Sequence, residues 1–173
     1  MLNKNDIVYK LAQKDDAKII YEIMNETYQN LENKNTFVCD TLNEIEEWLE
    51  KKGFGIIAYN NQKKIIGFLI VSYPGHSKKN LGYDIGLPKK ELEKVAHMES
   101  TVVIPKYRGK GILQKLIQYA EKAIDRNNYK YFLATVSPDN PASFISLEKN
   151  GYQHIITKTK YNNLTRRIYL KKI

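Results

Sequence analysis

The sequence has a single cysteine, Cys39, and little that would divide or anchor the chain. One cysteine excludes an intrachain disulfide and a thiolate metal cluster. No apolar run reaches the roughly 20 residues that span a bilayer, and the first residues lack the apolar core of a signal peptide. No linker rich in serine, glycine or proline interrupts the chain. We therefore expect one domain over residues 1–173, a cytoplasmic location, no membrane partner and no metal.

Acidic residues are outnumbered by basic ones: the sequence has 28 lysines and arginines and 19 aspartates and glutamates, which gives a net charge of +9. This excess attracts anions without identifying them, so coenzyme A, nucleic acid and acidic protein surfaces all remain open. Most lysines occur as scattered pairs, which is typical of a solvated surface. Aromatic residues alternate with basic ones at 129–131 and 158–161, as in some surfaces that stack on bases. Alternation along strands explains these runs more simply, and we expect no nucleic-acid partner.

The most informative stretch runs from an apolar strand through a basic turn into a helix. The strand over residues 98–104 ends at Pro105, and apolar residues then recur at helical spacing from Ile112 to Ile124. The first N–H groups of a helix have no partner within it, and glycines let an anion approach the backbone closely. The pattern therefore predicts a phosphate-binding turn made by Arg108, Gly109, Lys110 and Gly111.

The remaining elements are predicted from periodicity and from their end signals. Thr41 and Glu44 have the spacing of a capping box at the start of a second helix, and Asn140-Pro141 opens a later helix that Gly151 ends. Residues 54–59 and 65–73 predict a hairpin. Residues 75–94 predict a long loop with only a short helical possibility at residues 88–94, and such a loop in a compact domain is more often functional than accidental. The full order is β-α-α-β-β-β-α-β-α-β-β.

Two motifs in this order resemble one family. Arg108-Gly109-Lys110-Gly111-Ile112, preceded by Val103-Ile104-Pro105, resembles the acetyl-coenzyme A signature of the GNAT superfamily of N-acetyltransferases, written Arg/Gln-x-x-Gly-x-Gly/Ala. Leu113 stands where the signature ends in a small residue. Residues 140–143 and 147–152 are similar to the family's Asn-x-x-Ala/Ser helix that ends in Lys-x-Gly-Phe/Tyr. A Walker loop and a dinucleotide fingerprint do not fit, because no Ser or Thr follows Lys110 and Gln114 replaces the third glycine.

The resemblance implies an α+β fold of the GNAT type. Its central, mostly antiparallel twisted sheet would have six to seven strands, splayed between strands 4 and 5, with about four helices. It also implies that acetyl-CoA is bound and coenzyme A released. The residues expected to hold it are Val102, Val103, Ile104, Arg108, Gly109, Lys110, Gly111, Ile112, Leu113, Asn140 and Ser143.

The acceptor implied by the resemblance is a primary amine of a small molecule or peptide, which would attack the thioester directly in a ternary complex. The family's variable elements lead us to expect Tyr28 and Tyr73 at the acceptor site. The alternative is an acyl-CoA-binding module without catalytic activity. The protein would be a monomer or a homodimer.

Candidate catalytic residues lie on the strand before the phosphate turn. His97 and Glu99 are two residues apart and so face the same side of that strand. An alkylamine, with a pKa near ~10, is mostly protonated at neutral pH and needs a base. The alternative is a Glu99 paired with a lysine and a half-exposed His97. A backbone N–H at Val103 or its neighbour would stabilise the oxyanion, and Leu147 replaces the tyrosine that often protonates the leaving thiolate in the family.

Overall fold

The computed structural model describes residues 7–173. The polar first residues, which argue against a signal peptide, lie outside the described residues. Within residues 7–173 there are seven strands and four α-helices, with short 3-10 helices and one π-helix, Trp48–Lys52, between them. The elements are β1 Val8–Leu11, α1 Ala17–Gln29, α2 Leu42–Glu47, β2 Gly53–Tyr59, β3 Ile65–Ser72, β4 Val95–Val103, α3 Ile112–Ala123, β5 Tyr131–Val136, α4 Pro141–Lys149, β6 Gln153–Lys160 and β7 Leu164–Lys172.

The strands form one sheet in the order β1-β2-β3-β4-β5-β7-β6. Every neighbouring pair is antiparallel except β4 and β5, which are parallel. The parallel pairing covers only three residues of each strand, from Val95 with Tyr131 to His97 with Leu133. Beyond it the strands diverge, and the sheet is split over the C-terminal half of β4. The α+β fold with a mostly antiparallel sheet splayed at this position is confirmed.

Local sequence signals explain where several elements begin and end. The predicted capping box is present, since the Thr41 hydroxyl accepts from the Glu44 N–H and the Glu44 carboxylate accepts from the Thr41 N–H. The hairpin of β2 and β3 closes through Asn60, whose side-chain oxygen accepts from the N–H groups of Gln62 and Lys64. The predicted turn between β6 and β7 contains three consecutive residues with positive φ, namely Tyr161, Asn162 and Asn163.

The two faces of the sheet are covered by different helices. Helices α3 and α4 pack on the face to which Ile56 and Leu69 point, and α1 and α2 pack on the face to which Ile57 and Phe68 point. Consecutive residues of one strand thus belong to separate apolar layers, as the alternation of side chains requires. None of the helices in residues 7–173 is long and apolar enough to cross a membrane.

The structure defines strand β4 and the segment before it more closely than the sequence does. Strand β4 begins at Val95 rather than Met98, because its first residues lie in the middle of the sheet and are buried on both faces. Residues 75–94 fold into successive turns, and the short helix expected at their end is a 3-10 helix over Lys89–Lys94. The buried Asn80 side chain holds these turns together by donating to the carbonyl oxygens of Gly75 and Leu92.

Candidate functional site

The candidate site lies in the gap where β4 and β5 diverge. The pairing of β4 with β3 moves from Thr101 with Leu69 to Met98 with Val71, so that Glu99 and Ser100 together oppose the single residue between Leu69 and Val71. This two-against-one arrangement is a β-bulge, which changes the direction of side chains along a strand. As a result, consecutive residues of β4 border the same cavity.

A phosphate-sized cradle follows β4. Gly109 and Gly111 both have φ of +75°, and Gly111 is the N-cap of α3. A Cβ added at either position would meet no atom within 4 Å, so the left-handed backbone rather than crowding favours glycine there. The turn directs the free N–H groups of the α3 N-terminus towards solvent space that an anion could occupy.

Two adjacent openings lie between this turn and the split in the sheet. A groove of about 540 Å³ runs along the glycine turn and the starts of α3 and α4, and a smaller cavity of about 120 Å³ penetrates between β4 and β5. Six residues border both openings and mark where they meet. They are Thr36, Phe37, Thr101, Leu113, Asn140 and Ser143.

Glu99 and His97 are hydrogen-bonded to each other beside the cavity. The distance from His97 Nδ1 to Glu99 Oε1 is 3.1 Å, and the same oxygen accepts from Ser72 Oγ at 2.5 Å. The other ring nitrogen, His97 Nε2, accepts from the Leu81 N–H at 3.1 Å. The His97 side chain is 5% exposed and that of Glu99 is 24% exposed. Burial raises the pKa of Glu99, but the bonds from His97 and Ser72 and the charge of Lys79 outweigh burial and hold it below its ordinary value.

A second carboxylate, Asp40, borders the same cavity from the loop between α1 and α2. Its Oδ2 accepts a short hydrogen bond from the hydroxyl of Ser100, the second residue of the bulge. Burial raises the pKa of Asp40 to about 7, and the negative charges of Glu99 and Glu44 act in the same direction. The cavity therefore holds one carboxylate that stays ionised at neutral pH and one that titrates there.

The backbone of β4 faces the gap with polar groups that β5 does not pair. The Ile104 N–H donates to Ile66 in β3, so by alternation the N–H groups of Val103 and Thr101 point away from β3 and towards the gap. The Arg108 Nε–H donates to the Val103 carbonyl at 3.0 Å and fixes the turn against the end of the strand. The Val103 N–H, predicted from the sequence as an oxyanion donor, thus faces the gap.

Most of the predicted cofactor residues meet at the groove. Nine of the eleven border it: Val102, Val103, Arg108, Gly109, Gly111, Ile112, Leu113, Asn140 and Ser143. Ile104 and Lys110 do not, since Ile104 continues the pairing with β3 and the Lys110 ammonium lies over the ring of Tyr107. Asn140 caps α4, and its side chain accepts from the Ser143 N–H.

The two predicted acceptor residues are not brought to the cavity. Tyr73 stacks on Tyr129 with ring centroids 4.0 Å apart, and burial raises its pKa to about 12. Tyr28 lies under the ammonium group of Lys34. Neither residue borders the cavity or the groove, and the cavity is bordered by the loop after α1 and by β4, β5 and β7.

Several cavity residues were missed by the sequence analysis. Besides Asp40 and Ser100, the cavity is bordered by Tyr161 at the β6–β7 turn and Arg166 on β7, whereas Leu147 is only 4% exposed and offers no polar group. The Tyr161 hydroxyl lies 3.1 Å from Thr135 Oγ1. These residues are far apart in the sequence and carry no local motif, so only the fold identifies them.

The residues of the groove fit coenzyme A. The glycine turn presents backbone donors without side-chain obstruction, Arg108 adds positive charge, and the groove leads from the turn to the cavity in the split sheet. Within residues 7–173, no three histidine, cysteine or acidic side chains are grouped so as to hold a metal ion.

Solved structures with the same fold include several acetyltransferases, whereas a search of curated proteins found no match. An acetyltransferase of the GNAT family from Streptococcus pneumoniae is 18% identical, with 96% of this chain and 99% of that chain covered and a TM-score of 0.73. The protein yncA from Salmonella typhimurium, solved with its cofactor acetyl-CoA, is 16% identical, with 97% and 94% covered and a TM-score of 0.71.

A third structure, that of AAC(6')-Ib in complex with ribostamycin and coenzyme A, is 16% identical, with 96% of this chain and 93% of that chain covered and a TM-score of 0.67. These likenesses show the fold. The sequence model of the acetyltransferase (GNAT) family matches residues 17–152, which is most of the chain. The chain therefore belongs to the acetyltransferase (GNAT) family.

Proposed function

We propose that this protein transfers the acetyl group of acetyl-CoA to a primary amine of a small molecule or peptide. The observation that carries the proposal is the adjacency of the two openings: the groove beside the glycine turn shares six lining residues with the cavity that Glu99 and Asp40 border. The thioester supplies an activated acetyl group. The residues of this chain would hold it beside a base, which is what transfer to an amine requires.

Glu99 is the proposed base, and His97 positions it. The ionised carboxylate attracts the ammonium form of the acceptor and takes one proton from it, so that the neutral nitrogen can form the new N–C bond. As that bond forms, the C–S bond breaks and its electron pair leaves with sulfur. The second proton that the nitrogen loses on becoming an amide passes to the thiolate, which leaves as the thiol of coenzyme A. The Val103 N–H, which points into the gap, would donate to the carbonyl oxygen as charge develops there. Asp40 is the alternative proton acceptor, favoured by a pKa of about 7.

Direct attack in a ternary complex is proposed rather than an acetylated enzyme. Cys39 packs among apolar side chains on the α1–α2 face of the sheet and borders neither opening. Burial raises the pKa of its thiol, which disfavours the thiolate. Initial-rate lines with both substrates varied should therefore intersect rather than run parallel.

We propose a cytoplasmic location and a monomer or homodimer. Light scattering in solution distinguishes the monomer from the homodimer.

The test is release of coenzyme A thiol from acetyl-CoA with a panel of primary amines. Glu99→Gln should lower kcat/KM by about 100-fold or more, as loss of a general base does, while calorimetry shows unchanged binding of coenzyme A. A matched control is Glu93→Gln, because Glu93 also lies 3.1 Å from a histidine, His76, but is 71% exposed on the surface.

Three results would decide against parts of this proposal. Binding of acetyl-CoA without thiol release from any amine would favour the non-catalytic module. Activity that survives Glu99→Gln and is lost in Asp40→Asn would move the base to Asp40. Failure to bind coenzyme A at all would remove the function altogether.

A further inference from the structure

Arg166 on β7 is a buried positive charge at the wall of the cavity. The residue is 3% exposed, and it borders the same cavity as Glu99. Its guanidinium donates to the Asn35 carbonyl at 2.8 Å and to the Thr165 carbonyl at 2.9 Å. Within residues 7–173 it forms no ion pair with a carboxylate. Two of its five N–H groups are thus engaged, both by neutral acceptors.

A buried charge without a counter-charge is costly to the folded state. Burial lowers the pKa of Arg166, and the nearby Tyr161 and Asp139 only partly oppose that effect. A surface arginine would avoid this cost by reaching solvent. Because Arg166 is held at the cavity wall, an anion bound in the cavity would compensate its charge with charge-assisted hydrogen bonds.

The cavity carries the opposite charge on the side of β4. Glu99 and Asp40 border it there, and Tyr161, whose ring lies under the Arg166 guanidinium, borders it as well. Burial raises the pKa of Tyr161, the carboxylates Glu99 and Asp40 raise it further, and Arg166 opposes them. A ligand that matches this arrangement has a cationic amine and an anionic group. The narrowness of this cavity, beside the groove of about 540 Å³, favours a small ligand.

Building on the proposed N-acetyltransferase function, we propose that the acceptor is a small amino acid, whose carboxylate is bound by Arg166 while its amine faces Glu99. The carboxylate is planar and suits a guanidinium fork. Thr135 and Tyr161, whose hydroxyl groups are 3.1 Å apart at the cavity wall, are available to the second carboxylate oxygen.

Arg166 also has a structural contact that the experiment must separate from this role. Its bond to Asn35 joins β7 to the loop between α1 and α2, the loop that carries Asp40. Loss of that bond alone would impair every acceptor equally. Loss of a carboxylate site would impair only acceptors that carry a carboxylate, so the two roles differ in selectivity.

The experiment compares ω-amino acids from glycine to 6-aminohexanoate with the alkylamines of matching chain length. For the wild-type protein, kcat/KM should favour the amino acid over its matched amine by about 10- to 100-fold at the best length, in line with a charge-assisted hydrogen bond. Arg166→Met should reduce this ratio to near one. Arg167→Met is the matched control and should preserve the ratio, because Arg167 lies over Phe144 and borders neither opening.

Calorimetry with wild-type protein saturated with coenzyme A provides a readout that needs no variant: the best amino acid should bind more tightly than its matched amine.

The proposal is overturned if no chain length favours the carboxylate, if Arg166→Met slows both acceptor classes equally, or if 2-aminoethyl phosphate is preferred to β-alanine. Acetylation of simple amines in those cases would leave the proposed N-acetyltransferase function intact. If no amine is acetylated, that function fails, and the binding comparison alone decides on the carboxylate site.

Discussion

At the scale of single residues, His97 shows how two neighbours fix the protonation of a buried ring. Its Nε2 accepts from the Leu81 N–H, so its proton lies on Nδ1 and is directed at Glu99. Accepting a further proton would break the bond to Leu81. We therefore infer that His97 positions Glu99 and is not itself the base, which leaves the carboxylates as the proton acceptors.

Asp40 should make the rate of turnover depend on pH. Its raised pKa of about 7 means that it is protonated below that pH and ionised above it. Ionisation adds a negative charge next to the site of the ammonium group, so kcat/KM should rise with an inflection near pH 7. In Asp40→Asn this inflection should vanish, as pH–rate profiles from pH 5.5 to 9 can show.

Glu99→Gln separates the contributions of the two carboxylates. If both take part as proposed, its residual activity should keep the inflection near pH 7 that Asp40→Asn loses. Superimposable profiles for wild-type protein and Asp40→Asn would show that the ionisation of Asp40 does not affect turnover.

Sequence reasoning found the residues that share a strand or a turn and missed those that meet only in the fold. His97 and Glu99 could be identified from the sequence because their spacing alone places them on one side of β4. Asp40 and Ser100 are 60 residues apart, and their hydrogen bond depends on how the loop after α1 crosses the split sheet. The packing of Tyr73 on Tyr129 and of Tyr28 under Lys34 could not be read from the positions of these residues in the sequence.

At the scale of secondary structure elements, the turn before α3 can be tested separately from catalysis. Gly111→Ala forces a side chain into left-handed backbone, which costs roughly 1–2 kcal/mol. We expect the turn to relax and the affinity for coenzyme A, measured by calorimetry, to fall about 10-fold through loss of charge-assisted N–H donors.

Gly86→Ala is the control for that experiment. Gly86 has a φ of +74° and no atom within 4 Å of an added Cβ, like Gly111, but it borders neither opening. Both variants should lose similar stability in urea denaturation, and only Gly111→Ala should lose affinity. Equal affinity in the two variants would argue against the turn as the phosphate site.

The boundaries of elements were predictable where a side chain enforces them. The capping box at Thr41 and the asparagines of the β6–β7 turn act through their own hydrogen bonds or backbone preferences, so the sequence is sufficient. The bulge at Glu99 and Ser100 depends on the pairing between β3 and β4 and has no signature in either strand. The early start of β4 at Val95 reflects burial between two neighbouring strands.

At the scale of the whole molecule, the Asp40 carboxylate links the catalytic site to stability. Its folded-state pKa of about 7 lies above the ordinary value of 3.8, so the folded protein holds this proton more tightly than the unfolded chain. That contribution to the free energy of unfolding is complete below pH 4 and is lost as the pH rises to 7. The loss is at most ~4 kcal/mol.

Asp40→Asn should therefore be more stable relative to wild-type protein at pH 8 than at pH 4. Urea denaturation of both proteins at the two pH values measures the difference, and comparison in the same buffers cancels the other titrating groups. A difference that does not change with pH would contradict the raised pKa of Asp40.

The split between β4 and β5 has a consequence for solubility. A strand with free N–H and C=O groups is a template for self-association when it lies at the outer border of a sheet. Here the open strand borders are internal, and Thr36 and Phe37, next to the Asn35 carbonyl that accepts from Arg166, line the openings beside them. An internal position keeps these backbone groups from the sheet edge, where another copy of the chain would pair with them.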